Sequence, residues 1–254
     1  MNGAMSALRK LAGQSGLPRT LDLSYPSNRY AVGGALVSML AARALGGTWR
    51  EAGSVGIGAF AAWATARELD PDHPETATVA LPLAAAAGWL GGPGNPVAGL
   101  SALSGLRVLG GTVGPNDAAL DSLALTAATA LCALSGDRAA ALAPAGAAAL
   151  TPGLSQPWPL ALALLPAVTR ASGASVPATV LGLGALALSP GLTRSEEVTS
   201  KCDQPGYALS AARVQRSRQL AAATLAASVL GGQTRALLPL AAAALSVGLR
   251  RLNA

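Results

Sequence analysis

Four carboxylates and the only histidine of the chain fall within eight residues: Glu68, Asp70, Asp72, His73 and Glu75, directly after Arg67. In Asp70-Pro71-Asp72 the fixed φ of proline holds two carboxylates on a short, stiff spacing. Such a pair suits Mg²⁺ or Ca²⁺, which take oxygen ligands, and it would serve a membrane enzyme acting on a phosphorylated lipid. The same residues also make a solvated turn: Asp and Pro initiate turns, and Glu75 favours the N-terminus of a following helix. Turn chemistry accounts for every residue type here. The leading expectation is therefore a helix-capping loop, with the metal site at Asp70 and Asp72 as the alternative and no other cofactor implied.

A second group comprises Arg107, Asn116, Asp117 and Asp121. Asn116 is a good helix cap, and Asp117 and Asp121 share a face four residues apart. Charges at membrane depth are costly and attract partners, so Arg107 is expected to pair with Asp117 or Asp121 across the turn from Gly110 to Pro115. The run from Asn116 to Asp121 departs by one residue from the Asn-Asp-x-x-Asp start of intramembrane prenyltransferases. No further Asp completes that motif, and the spacing of CDP-alcohol phosphotransferases is absent.

The elements that must carry these groups are apolar. Charged residues are 12% of the 254 and hydrophobic ones 51%, with mean hydropathy +0.43. A soluble domain carries about 25% charge, so the composition points to a chain that crosses a bilayer many times. Cys132 and Cys202 suggest neither a disulfide framework nor a metal motif. The pI near 10.1 comes from basic residues beside apolar runs, which fits membrane orientation and not nucleic-acid binding.

Charges and Gly/Pro clusters divide the chain into ten apolar segments, 30–47, 53–66, 76–90, 96–110, 116–135, 138–150, 158–169, 175–188, 219–231 and 234–249. Ala and Leu make them helical, and Gly91-Gly92-Pro93-Gly94-Asn95-Pro96 reads as a tight turn. The expected fold is all-α: a polytopic bundle of about 8–10 short Ala/Leu/Gly-rich transmembrane helices. Residues 1–29 would form a cytoplasmic lead-in, with Met5, Leu8 and Leu11 on one surface turn and no cleavable signal peptide. Residues 30–254 would form one transmembrane domain with a polar loop near 193–218, its basic half from Tyr207 to Gln219 acting as an orientation signal or lying on headgroups.

Ten spans would put 13 of the 18 Lys and Arg residues on one side. Arg50, Arg138, Arg170 and Arg235 remain on the other, with Arg43 inside the first span. By the positive-inside rule both termini are then cytoplasmic in a cell inner membrane. Sparse polar groups favour a non-enzymatic, transport-like bundle or an accessory subunit, since catalysis needs several convergent titratable groups. Its expected partners are the lipid bilayer and membrane proteins or further copies of itself.

Overall fold

Alanine and leucine dominate the runs between the Gly/Pro clusters, and these runs coil into helices whose ends are set by local caps. The computed structural model describes residues 15–19, 21–114, 117–204 and 206–252. Met5, Leu8, Arg9, Lys10, Leu11 and Asn116 lie outside them. Among the described residues there are eleven helices and no strand: α1 Pro26–Ala44, α2 Trp49–Leu69, α3 Glu75–Gly91, α4 Pro96–Gly110, α5 Ala118–Leu134, α6 Arg138–Leu150, α7 Pro159–Leu162, α8 Val176–Ala187, α9 Ser189–Leu192, α10 Ala211–Leu230 and α11 Leu238–Leu252. Thr48 and Glu51 form a reciprocal capping box at α2. Asn95 accepts from Val97 N before Pro96 at α4, and Asp117 accepts from Ala119 N and Leu120 N at α5. The all-α expectation holds.

Contacts between helix ends define two polar poles. The C-terminal ends of α2, α4 and α11 meet the first turns of α3 and α5 and the start of α10 at one pole, the salt-bridge end. The N-termini of α2, α4 and α6 meet the ends of α3 and α5, together with residues 169–173 and Arg235, at the other, the cavity end. Helix α2 runs from one pole to the other; its 21 residues span about 31 Å at 1.5 Å per residue.

Three segments differ from the sequence expectation. Helix α2 extends through Arg50 and Glu51 at one end and Arg67 and Glu68 at the other. Helix α10 begins at Ala211, so the basic stretch expected as an orientation signal or on headgroups forms its first turns and buries Arg218. Charges do not stop a helix when they cap it, as Glu51 does with Thr48, or find partners across the bundle, as Glu68 does. The segment 158–169 is not a long helix: α7 is one turn, and i→i−3 bonds carry the backbone from Leu160 to Leu165. Pro157, Pro159 and Pro166 supply no N–H for the longer ladder.

The core is built largely from alanine. Ala59, Ala62 and Ala66 of α2 meet a buried stripe of α3 and the run Ala241–Ala244 of α11. Small side chains let backbones approach closely. A Cβ on Gly105 of α4 would lie 2.6 Å from the Ala143 carbonyl oxygen of α6, and a backbone atom has little room to yield. Gly105→Val is expected to destabilise the protein by at least about 1–3 kcal/mol, read from the thermal midpoint of the purified chain. A loss equal to that of Gly53→Val, where a Cβ meets nothing within 4 Å, would contradict this.

Between the poles the outside is apolar. Leu36, Val37 and Leu40 of α1, Leu123 and Leu131 of α5, and Val180 and Leu183 of α8 are all exposed. Monomers in water rarely expose large contiguous apolar patches. Yet among the described residues no helix is long and apolar enough to cross a membrane. The longest helices carry charge at their ends, and the most apolar, α8, has 12 residues.

Candidate functional site

At the salt-bridge end, α2 finishes with Glu68 and Leu69 and is capped by Asp70. The Glu68 side chain is fully buried beneath two guanidinia and a hydroxyl. Arg107 Nε of α4 donates to its Oε1 at 2.7 Å, and Arg19 Nη1 lies 3.3 Å from the same oxygen. Thr112 Oγ1 donates to the other oxygen. Arg19 also grips Asp203 through two nitrogens, while Asp203 N and Gln204 N donate to Thr112 O and Val113 O.

Two residues on, Asp70 anchors a second array. Arg250 of α11 forks onto it, with Nε 3.1 Å from Oδ2 and Nη2 2.8 Å from Oδ1. Two parallel charge-assisted bonds are the strongest form of this contact. Arg218 of α10, itself 1% exposed, donates from Nε to Leu69 O at 2.6 Å and places Nη2 3.4 Å from Asp70 Oδ1. Arg218, Arg250 and Arg251 then converge on Glu196. Burial pushes the Asp70 carboxyl above its ordinary range, with Arg250 and Arg218 opposing the shift. The hydrogen bond from Arg250 leads the causes that hold Glu196 down at about 2.

A pH dependence follows from Glu196. Its folded carboxyl titrates below the ordinary value of 4.5, so its stabilisation is complete above that pH and is lost as pH falls from there toward about 2. Asp70, shifted the other way, has the opposite sign. Glu196→Gln is expected to flatten the loss of thermal stability between pH 5 and pH 3. A variant as acid-sensitive as the parent would show that the cluster does not hold α10 and α11 together.

The acidic-loop residues do not converge. His73 Nδ1 lies 3.2 Å from Asp70, but Asp72 faces away and accepts from Thr199 N at 2.8 Å and Ser200 N at 2.7 Å. These bonds hold the Asp72 carboxyl below its ordinary range against the opposing effect of partial burial. Glu68, Asp70 and Asp72 are thus each occupied by their own donors, while Glu75 is exposed in the first turn of α3. Among the described residues no group of three or more His, Cys, Asp or Glu is placed to hold a metal ion.

The pairing expected for Arg107 is corrected. Arg107 turns to Glu68 and to Leu17 O, the latter at 2.8 Å. Asp117 caps α5, and the fully buried Asp121 accepts from Ser15 Oγ and Gly16 N. Arg107 sits one turn before the left-handed Gly111 that ends α4, on the face toward α2, while the 15–19 segment fills the space beside α5. That segment ties the two acidic groups together, since Ser15 and Gly16 meet Asp121, Leu17 meets Arg107, and Arg19 meets Glu68.

The cavity end is built differently. A recess of about 1120 Å³ is lined by Arg50, Arg170 and Arg235 along with Thr48, Asn95, Asp137 and Ser172. Asp137 is buried and accepts from Asn95 Nδ2, Ser172 N and Ser172 Oγ, and Glu51 is engaged by Thr48. Sequence reading singled out none of the three arginines as a site. Their shared side of the expected topology was the available signal. Arg218, Arg250 and Glu196 were missed too, because they lie far along the chain from Asp70.

The arrangement is that of an all-α bundle with a saturated ion-pair array at one pole and an open basic recess at the other. In comparisons with known proteins, the chain matches no family model, no curated protein and no solved structure.

Proposed function

We propose that the chain is a non-enzymatic, multi-pass membrane bundle, working as a transport-like unit or as an accessory subunit of a membrane assembly. The observation that carries this reading is the exposed apolar girdle between two polar poles. Water would penalise that surface, whereas lipid tails or neighbouring membrane proteins would not. The saturated carboxylates at the salt-bridge end also favour it, since a general acid or base needs a free partner atom. Residues 15–19 and the end of α11 share that pole, which fits the proposal that both termini face the cytoplasm across an inner membrane.

No single helix carries the crossing, so the bundle must cross as a unit. Helix α2 covers about 31 Å but carries charge at both ends, and helices of 12–17 residues cover about 18–25 Å, less than the ~30 Å hydrocarbon core. The reading therefore includes local thinning of the bilayer around the girdle, with ion pairs among the helices shielding their charged ends.

Alkaline extraction of membranes tests this. The chain is expected to stay in the pellet through carbonate at pH 11 and to leave it only with detergent. Release into the supernatant as a monodisperse protein would overturn the reading. The alternative, a metal-dependent enzyme acting on a phosphorylated lipid, would need Asp70 and Asp72 to exchange their present donors for a cation. Millimolar Mg²⁺ or Ca²⁺ is accordingly expected to leave the melting temperature unchanged. A metal-induced rise present in the parent and absent from Asp70→Asn/Asp72→Asn would favour the enzyme.

A further inference from the structure

The arginines at the two poles are treated differently. At the salt-bridge end Arg19, Arg107, Arg218, Arg250 and Arg251 all meet carboxylates. Around the recess, among the described residues, no carboxylate lies within salt-bridge distance of Arg50, Arg170 or Arg235. The two acidic groups of that lining, Glu51 and Asp137, are taken by Thr48, Asn95 and Ser172. The recess thus holds three guanidinia against two carboxylates, neither of which lies within salt-bridge distance of any of the three.

Arg235 has the most constrained setting. Its Nε is buried without a hydrogen-bond partner, an arrangement that costs about 1–3 kcal/mol, so contact with a ligand falls to the two terminal nitrogens. Glycines surround the guanidinium: a Cβ on Gly92 would sit 3.2 Å from Nη1, and one on Gly173 would sit 3.4 Å from Nη2. Both glycines have positive φ, +80° and +73°. A Cβ on Gly94 would lie 1.9 Å from the Arg235 carbonyl oxygen, so only glycine lets the turn close over this residue. The turn 91–96 and residues 172–173 therefore shape a slot for one guanidinium at the wall of the recess.

The same recess receives the N-termini of three helices, through Thr48 and Arg50 of α2, Asn95–Val97 at α4 and Asp137 at α6. Helix N-termini carry partial positive charge and favour anions. Arginine forks match tetrahedral oxyanions geometrically. Three guanidinia against two hydrogen-bonded carboxylates leave the lining net positive, which suits an anionic phosphate.

We propose that this recess binds a phosphate-bearing ligand, with Arg235 fixed as the anchor and Arg50 and Arg170 closing on the anion from the rim. A lipid headgroup and a free phosphate compound present the same chemistry. The site stands on the arginines and the recess alone, so it does not depend on the membrane reading.

The test is calorimetric titration of the purified full chain in detergent with inorganic phosphate and pyrophosphate at constant ionic strength. A parallel measurement uses nanodiscs of neutral lipid with or without phosphatidic acid. Saturable binding is expected in at least one arm, weakened about tenfold or more by Arg235→Gln, since a hydrogen bond to a charged group carries about 1.5–3 kcal/mol. Arg170→Gln and Arg50→Gln alter exposed side chains and keep the test decisive if Arg235→Gln fails to fold. Each is expected to weaken binding severalfold with unchanged melting in the absence of ligand. Binding in the phosphate arm assigns a soluble ligand, and binding only with phosphatidic acid assigns a headgroup. Absence of binding in both arms, or equal binding by the parent and all three variants, overturns the proposal.

Discussion

Replacing Arg218 with methionine is expected to destabilise the protein by about 3–5 kcal/mol, the range for removing one partner from a buried ionic group. Arg218 is 1% exposed and its guanidinium serves three acceptors on two segments: Leu69 O and Asp70 at the end of α2, and Glu196 of the loop before α10. Methionine fills much of the space but leaves the carbonyl and both carboxylates one donor short. Lysine is expected to rescue little, because a single ammonium on a flexible stem cannot reproduce a planar fork. Urea unfolding of the purified chain gives the value. A loss under about 1 kcal/mol would mean that the array is not what joins α2, α10 and α11.

Glu68→Gln is expected to cost a similar amount, about 3–5 kcal/mol. The substitution keeps the shape of a fully buried side chain and removes only its charge. Arg107 then loses its counterion, Arg19 keeps only Asp203, and the amide nitrogen of Gln brings a donor into a site of donors. Adding Arg107→Met is expected to recover part of the loss, with a coupling energy of about 0.5–3 kcal/mol in the double-mutant cycle. Arg107→Ala and Asp121→Ala are expected to couple more weakly, since they meet only through the 15–19 segment, Asp121 bonding Ser15 and Gly16 and Arg107 bonding Leu17 O. Coupling of Arg107 to Asp121 but not to Glu68 would contradict the observed geometry.

Local chemistry was readable before the structure. The Ala/Leu runs, the turn at 91–96 and the division of arginines between alternate loops all follow from neighbours in sequence, whereas the cap of α5 is Asp117 and not Asn116, one residue before it. What was not legible depends on chain returns. Arg107 stood near Asp117 and Asp121 in sequence, yet the fold presents Glu68 from 39 residues upstream. Asp70 finds Arg218 and Arg250 at separations of 148 and 180 residues, and a single sequence carries no trace of such pairings. Segmenting by charge also trimmed α2 and α10, since it treated Glu68 and Arg218 as boundaries when both are buried inside the bundle.

The apolar girdle is the central claim, and cysteine accessibility tests it most directly. With Cys132 and Cys202 replaced by serine, single cysteines are placed at Val37 and Val180 on the girdle and at Ser195 and Ala174 near the two poles. All four positions are exposed on the protein itself, so only surrounding lipid or a partner distinguishes them. In permeabilised membrane vesicles a water-soluble maleimide is expected to label positions 195 and 174 and to leave 37 and 180 unmodified until denaturing detergent is added. Labelling of positions 37 and 180 as fast as 195 would show the girdle bathed in water and would contradict the membrane reading.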